Sequence, residues 1–275
     1  MGTFIPFLSI LLHEKESKQK AKEHKTMSLL SLPITNYKAK KNQSLGIDTY
    51  FLSLAQSDTS GFNVCPMANK TNEQNKNKSN CSLVCVAKNG NGNYPNVVQS
   101  RIAKTKRFFE DRQNFLNELV VEIAKAIIKS NNKNITPTFR LNAYSDIKWE
   151  SVKVNKFGNN TIFELFPDIQ FYDYTKIPDR ITPFNYALTY SHWGKWGATN
   201  NAMKQGQNVA MVFDAKKTDK LPETFNGRSV VDGDKTDLRT PQNDGLNAIV
   251  GLRAKMSRAN INKELDKTTS FVVRV

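Results

Sequence analysis

The chain holds few cysteines and keeps them together. There are three among 275 residues, all in the stretch CPMANKTNEQNKNKSNCSLVC from Cys65 to Cys85. An odd, clustered set excludes a disulfide framework, which uses even numbers spread along a chain, and points to a reducing compartment. Long apolar runs are missing as well. Nothing approaches the roughly 18 apolar residues that a membrane-crossing helix needs, and the mean hydropathy is −0.54. Acidic residues are outnumbered, with 25 Asp and Glu against 40 Lys and Arg, for a net charge of +15. Such an excess draws a protein toward nucleic acid and other polyanions, although no single Lys/Arg block dominates here. The opening MGTFIPFLSILLHEKESKQK has an apolar piece, Phe4 to Leu12, without the basic start or small-residue cleavage site of a secretion signal.

What is present organises the chain. Residues 1–44 read as an N-terminal extension, largely disordered, with Met27 an alternative start, and residues 45–275 as a single α/β domain. The stretch 27–64 looks irregular. Residues 66–80 form a polar insert with too little to bury to order itself. KNGNGNYPN (88–96) is a Gly- and Asn-rich loop. From Val97 to Ser130 the apolar residues recur at helical spacing, with Phe108, Phe115, Leu119, Ile123 and Ile127 on one face. Asp111 marks a short break that starts a second helix. Beyond Asn134 the pattern changes to short apolar runs at 136–147, 166–176, 185–193, 208–216, 229–239 and 248–255, each of buried-strand character. The segment 194–205 suits a short helix between two of them. Strands alternating with helical segments predict an α/β fold, a partial or complete TIM-like barrel of parallel strands with flanking helices.

Polar, chemically able residues follow these strands rather than precede them. Parallel sheets and barrels bind ligands beyond the carboxyl ends of their strands. The pattern therefore predicts one pooled site, with Asp146, Asp173, Lys176 and Asp237 as catalytic groups. Arg140, Asn142, Ser145 and Ser191 are its candidate cofactor-binding residues. Polar residues also begin the loop after any strand, which accounts for some of this set.

The cysteines suggest a metal. Thiolates are soft ligands, and Cys65, Cys81 and Cys85 suffice for most of a zinc site or for an iron–sulfur cluster. A [4Fe-4S] cluster on three cysteines leaves one iron open, the position that S-adenosylmethionine takes in radical enzymes. The spacing here, Cys-x15-Cys-x3-Cys, differs from the CxxxCxxC usual in those enzymes. Zinc needs a fourth ligand, which His192 or an Asp supplies. Asp232-Gly233-Asp234-Lys235-Thr236-Asp237 offers carboxylates for magnesium, but an Asp-Gly turn explains it more simply. Arg101, Lys104, Lys106 and Arg107 beside Phe108-Phe109 suit single-stranded nucleic acid, and equally a helix with one solvated face.

Taken in order, SGFNVCPMA, the C-x3-C pair, NVVQSRIAKTKRFFEDRQNFLNELV, FRLNAYSDIKWE, FPDIQFYDYTKIP, NVAMVF and VVDGDKTDLR resemble the phage gene product 88 family over roughly residues 45–275. The family's cysteines stand closer together, so the insert 66–80 is a departure. The resemblance implies a bacteriophage protein in the cytoplasm of an infected host cell and brings no activity with it. The layout is also similar to a group of radical-SAM-like phage proteins. Three functions follow as expectations. The first is an iron–sulfur, radical-SAM-like enzyme of unknown substrate, with a [4Fe-4S] cluster and S-adenosylmethionine. The second is a nucleic-acid-binding protein, using its basic surface and a structural zinc. The third is a magnesium-dependent nuclease using the strand-end aspartates.

Overall fold

The computed structural model describes residues 28–33, 37–68, 81, 85–88, 90–255, 258–267 and 270–274. Met27, residues 1–26 and residues 69–80 of the expected insert lie outside that set.

The first described residues depart from the expected extension. Strand β1 (Leu30–Ser31), helix α1 (Tyr37–Gln43) and strand β2 (Ile47–Leu52) all precede the first cysteine. β1 pairs antiparallel with β2, and Leu29 and Leu52 are fully buried. The stretch expected to be irregular therefore opens the sheet. Its IDTYFL run mixes polar and apolar residues because both of its faces are buried in different surroundings. Tyr50 and Leu52 pack into the apolar core, while Thr49 hydrogen-bonds Asn42, Thr138 and Tyr172.

The helical pattern resolves as two helices, α2 (Pro95–Glu110) and α3 (Arg112–Asn131). Pro95 suits the first turn, where its missing N–H has no partner to lose. Asp111, at φ −135° and ψ 52°, makes the break. Phe108, Phe115, Leu116, Leu119, Val120, Ile123 and Ile127 are buried against the sheet.

Six further strands match the apolar runs: β3 (Thr136–Arg140), β6 (Gln170–Thr175), β7 (Tyr186–Ser191), β8 (Val209–Phe213), β10 (Arg228–Asp232) and β11 (Ile249–Arg253). A hairpin of β4 (Lys153–Val154) and β5 (Asn160–Thr161) stands apart, and a capping box at Thr161 and Glu164 starts the short α4 (Ile162–Leu165). The main sheet runs β1-β2-β3-β6-β7-β8-β11-β10-β9, where β9 is Thr224–Phe225, and β12 (Val272–Val273) pairs with β8. Every pair from β2 to β10 is parallel, and only the outermost β1 and β9 are antiparallel. Helix α5 (Trp196–Lys204) connects β7 to β8, α6 (Pro241–Asp244) precedes β11, and α7 (Arg258–Leu265) precedes β12. The fold is thus a large, mostly parallel sheet with flanking helices. Among the described residues no strand pairing closes it into a barrel.

Leu119 of α3 lies in the apolar core with no exposed surface. Leu119→Ala is expected to lower unfolding stability by about 2–5 kcal/mol, since a buried Leu→Ala change removes transfer energy and leaves a cavity. Urea denaturation checks this. An unchanged midpoint would mean that the helix does not pack as described.

Candidate functional site

A cavity of about 830 Å³ opens at the carboxyl ends of the parallel strands. β3 contributes Arg140, β6 contributes Tyr174 and Thr175, β7 contributes Ser191, β8 contributes Ala210 and Val212, and β11 contributes Leu252 and Arg253. The loops after β2, β3, β6 and β10 and helix α7 complete the wall.

All three cysteines face this cavity. The loop after β2 turns at Pro66, where the Ala68 amide donates to the Cys65 carbonyl at 2.9 Å. Cys65 Sγ accepts from the Ser57 amide at 3.3 Å and approaches the Tyr144 carbonyl at 3.5 Å. Burial pushes the Cys65 thiol up to about 12, and the nearby Cys81, Cys85 and Asp146 add to the rise. Burial raises Cys81 as well, opposed by the Lys176 ammonium. The three thiols are therefore mutual neighbours, and Cys65 and Cys81 stay protonated unless a cation compensates them. Among the described residues, no three His, Cys, Asp or Glu side chains are placed to hold one metal ion together.

Ten of the eleven candidate site residues line the cavity, but several serve the scaffold first. Asn142 is saturated. Its Oδ1 accepts from Ser145 Oγ (2.8 Å), the Ile147 amide (2.9 Å) and Trp149 Nε1 (3.2 Å), while Nδ2 donates to the Ile147 carbonyl at 2.9 Å. It and Ser145 hold the loop after β3 in shape rather than reaching for a ligand. Asp146 accepts from Thr175 Oγ1 (2.8 Å), the Lys176 amide (2.7 Å) and Arg180 (3.2 Å). Burial raises its carboxyl, against the pull of these donors. Lys176 Nζ donates to Ser191 Oγ at 2.7 Å, which sets its ammonium on the wall beside Cys81.

Arg140 stands under the cavity, 2% exposed, among the rings of Phe51, Tyr172 and Tyr174. It donates to Asp237 Oδ2 at 2.6 Å. Burial alone would lower the guanidinium, but Asp237 and then Asp173 outweigh it and raise it.

Asp173 is the exception. It is fully buried and absent from the cavity wall. Its carboxylate turns back to accept from the amides of Leu141 (3.2 Å) and Asn142 (3.0 Å) and from the Tyr186 hydroxyl (3.1 Å). A strand-end carboxylate expected to act on substrate instead ties β6 to the end of β3. His192, weighed as a zinc ligand, also lies off the wall. Its Nδ1 meets Thr199 Oγ1 at 2.8 Å and its Nε2 accepts from the Gly194 amide at 3.2 Å, and burial lowers it to about 4.

The carboxylates of Asp232 and Asp234 form a turn. The Asp234 amide donates to Asp232 Oδ1 at 3.0 Å, and Arg253 spans both side chains at 2.9 and 3.3 Å. Gly233 is required because a Cβ there would come within 2.5 Å of Val250. Sequence reasoning missed Tyr144, Lys41, Arg253, Lys255 and Lys263 on the wall. Arg253 ends β11 and Lys255 follows it as Lys176 follows β6, so the strand-end rule would have found them. Lys41 was hidden in the supposed extension.

A family model described as Gene product 88 matches residues 13–272, and the chain belongs to that family. No curated protein and no solved structure matches it.

Two outcomes follow from this geometry. Asn142→Ala leaves several buried partners unsatisfied and is expected to lower stability by about 1–3 kcal/mol; a thermal melt matching wild type would refute the staple role. Burial pushes Asp173 to about 7, against a weaker pull from Arg140. Its folded value therefore lies above its unfolded one. Its contribution to stability is complete in acid, below its ordinary carboxylate range, and is lost as pH rises through about 7. A ¹³C NMR titration of labelled aspartate carboxyls should show one group with a midpoint near neutrality; no such group would contradict this.

Proposed function

We propose, for this member of the gene product 88 family, that the cavity is the cofactor and substrate chamber of an iron–sulfur protein of the radical S-adenosylmethionine type. The observation that carries this reading is that every cysteine of the chain lines one cavity at the carboxyl ends of the parallel strands. The donor set fits: three thiols are soft ligands, and they leave a cluster iron for a further ligand. Cys65, Cys81 and Cys85 would hold the cluster. Ligands of such sites commonly converge only as metal binds and the thiols ionise. When bound, the cluster supplies the electron that cleaves S-adenosylmethionine; the hard chemistry is the cofactor's.

The chain's own residues position and insulate. A partial barrel suits the contacts between the two ends of the parallel run. Lys41 of α1 donates to the Asp234 carbonyl, and the Asp237 amide donates to Asn42 Oδ1 at 3.0 Å. The sheet thereby curves around the cavity. Lys176, held by Ser191, presents its remaining ammonium donors to a carboxylate or phosphate. Tyr144 and Tyr174 give flat apolar wall. Arg140 and Asp237 form a fixed ion pair under the site.

The rival chemistries meet specific obstacles. A magnesium nuclease needs carboxylates open to a cation, but Asp146, Asp232 and Asp237 are each within 3.2 Å of an arginine and Asp173 is turned into the sheet. A zinc site with His192 needs a ring nitrogen that is already engaged.

Anaerobic purification with visible absorption and iron, sulfide and zinc analysis tests the reading. Iron and sulfide with a broad visible absorption are expected, and both should vanish in Cys81→Ala/Cys85→Ala. Zinc without iron, or no metal in protein matured with iron and sulfide, would sink it.

A further inference from the structure

The charge on the cavity wall is unbalanced. Seven basic side chains line it against four carboxylates. Each of those carboxylates is already matched. Asp237 pairs with Arg140 (2.6 Å), Asp234 with Arg253 (3.3 Å) and Lys255 (3.2 Å), Asp146 with Arg180 (3.2 Å), and Glu264 with Lys267. What remains is cationic. Lys176 rests on a neutral hydroxyl, and an ammonium with one such acceptor keeps two donors to offer. Lys263 projects, exposed, from α7 at the same cavity. The same wall carries apolar and aromatic side chains, Ala210, Val212, Leu252, Phe271 and Tyr174.

We propose that the cavity takes a phosphate-bearing organic anion of nucleotide size, with its phosphates between Lys176 and Lys263 and its flat part on the Tyr174–Leu252 floor. This rests on the cavity being the functional site, as above, but not on the cluster. The volume of about 830 Å³ falls within the few hundred to about 1,000 Å³ usual for ligand pockets and leaves room for a second small molecule. Cations against a low-dielectric wall attract phosphate more strongly than the same lysines on an open surface. The basic side chains of the wall, Lys176 and Lys263 foremost, favour an anionic ligand over a neutral one.

The test is equilibrium binding of ATP and of adenosine to the full chain, purified without added metal, by titration calorimetry. ATP should bind in one-to-one ratio, with adenosine at least about tenfold weaker, a difference of about 1.4 kcal/mol. Lys263→Glu, an exposed position that leaves the fold intact, should weaken ATP about tenfold and adenosine little. Lys176→Ala should do the same, with its thermal melt checked against wild type. Lys133→Glu, before β3 and so at the other end of the sheet, should leave both unchanged. Equal affinity for ATP and adenosine, no binding of ATP, or ATP binding indifferent to Lys263→Glu would each overturn the proposal. A protein that binds ATP in this pattern but takes up no iron and sulfide when matured anaerobically with both would overturn the cluster and keep the anion site. A cluster-bearing protein that ignores ATP would do the reverse.

Discussion

Burying the guanidinium of Arg140 is the constraint around which the centre of the molecule is arranged. A charge taken out of water must be compensated on the spot, because the idealised desolvation cost exceeds the net stability of a typical domain. Three separate parts of the chain meet at this one group. β3 supplies the arginine, the loop after β10 supplies Asp237 at 2.6 Å, and β6 supplies Asp173 at 3.6 Å together with the faces of Tyr172 and Tyr174. None of the three can shift without exposing an uncompensated charge. The same group therefore fixes the floor of the cavity and draws the far strand β10 toward the first strands of the sheet. Tyr172 extends the network to Thr49 and Asn42, so α1 is included in it.

The loops above that floor repeat the arrangement on a smaller scale. Arg180, buried to 8% exposure, joins Asp146 and Glu150 and so binds the loop after β6 to the loop after β3. Asn142 folds the latter loop around its own side chain. The result is a rigid rim in which few polar groups remain to be satisfied. That rigidity makes the exceptions informative: the thiols, the Lys176 ammonium and Lys263 of the C-terminal helix face the space without comparable partners among the carboxylates.

Much of this was legible because it rests on local periodicity. Leu119 and Ile123 stand at helical spacing, VAMVF and IVGLR are continuous apolar runs, and both patterns reflect burial that the sequence must encode. The strand-end rule placed Lys176, Ser191 and Asp237 near one another because parallel strands share a carboxyl end. It failed for Asp173, since nothing in FYDYT says whether a carboxylate leans over the edge or turns back to a neighbouring backbone. Periodicity missed β2, whose IDTYFL run serves an apolar layer on one side and a hydroxyl network on the other. The strand-end rule brought Asn142 to the cavity wall without showing that this side chain also staples its own loop. In each case the deciding contact comes from a residue far away in the chain.

The cavity wall draws on Lys41 near one end of the chain and on Phe271 near the other. On a ribosome the first strands and the long helix pair emerge before the segment that carries α7 and β12, and a domain generally folds as a unit. Helix α7 and β12 reach the wall only after nearly everything else has been synthesised. Val273 of β12 packs into the second buried cluster while Phe271 beside it lines the cavity, so one short segment closes the core and the cavity wall together.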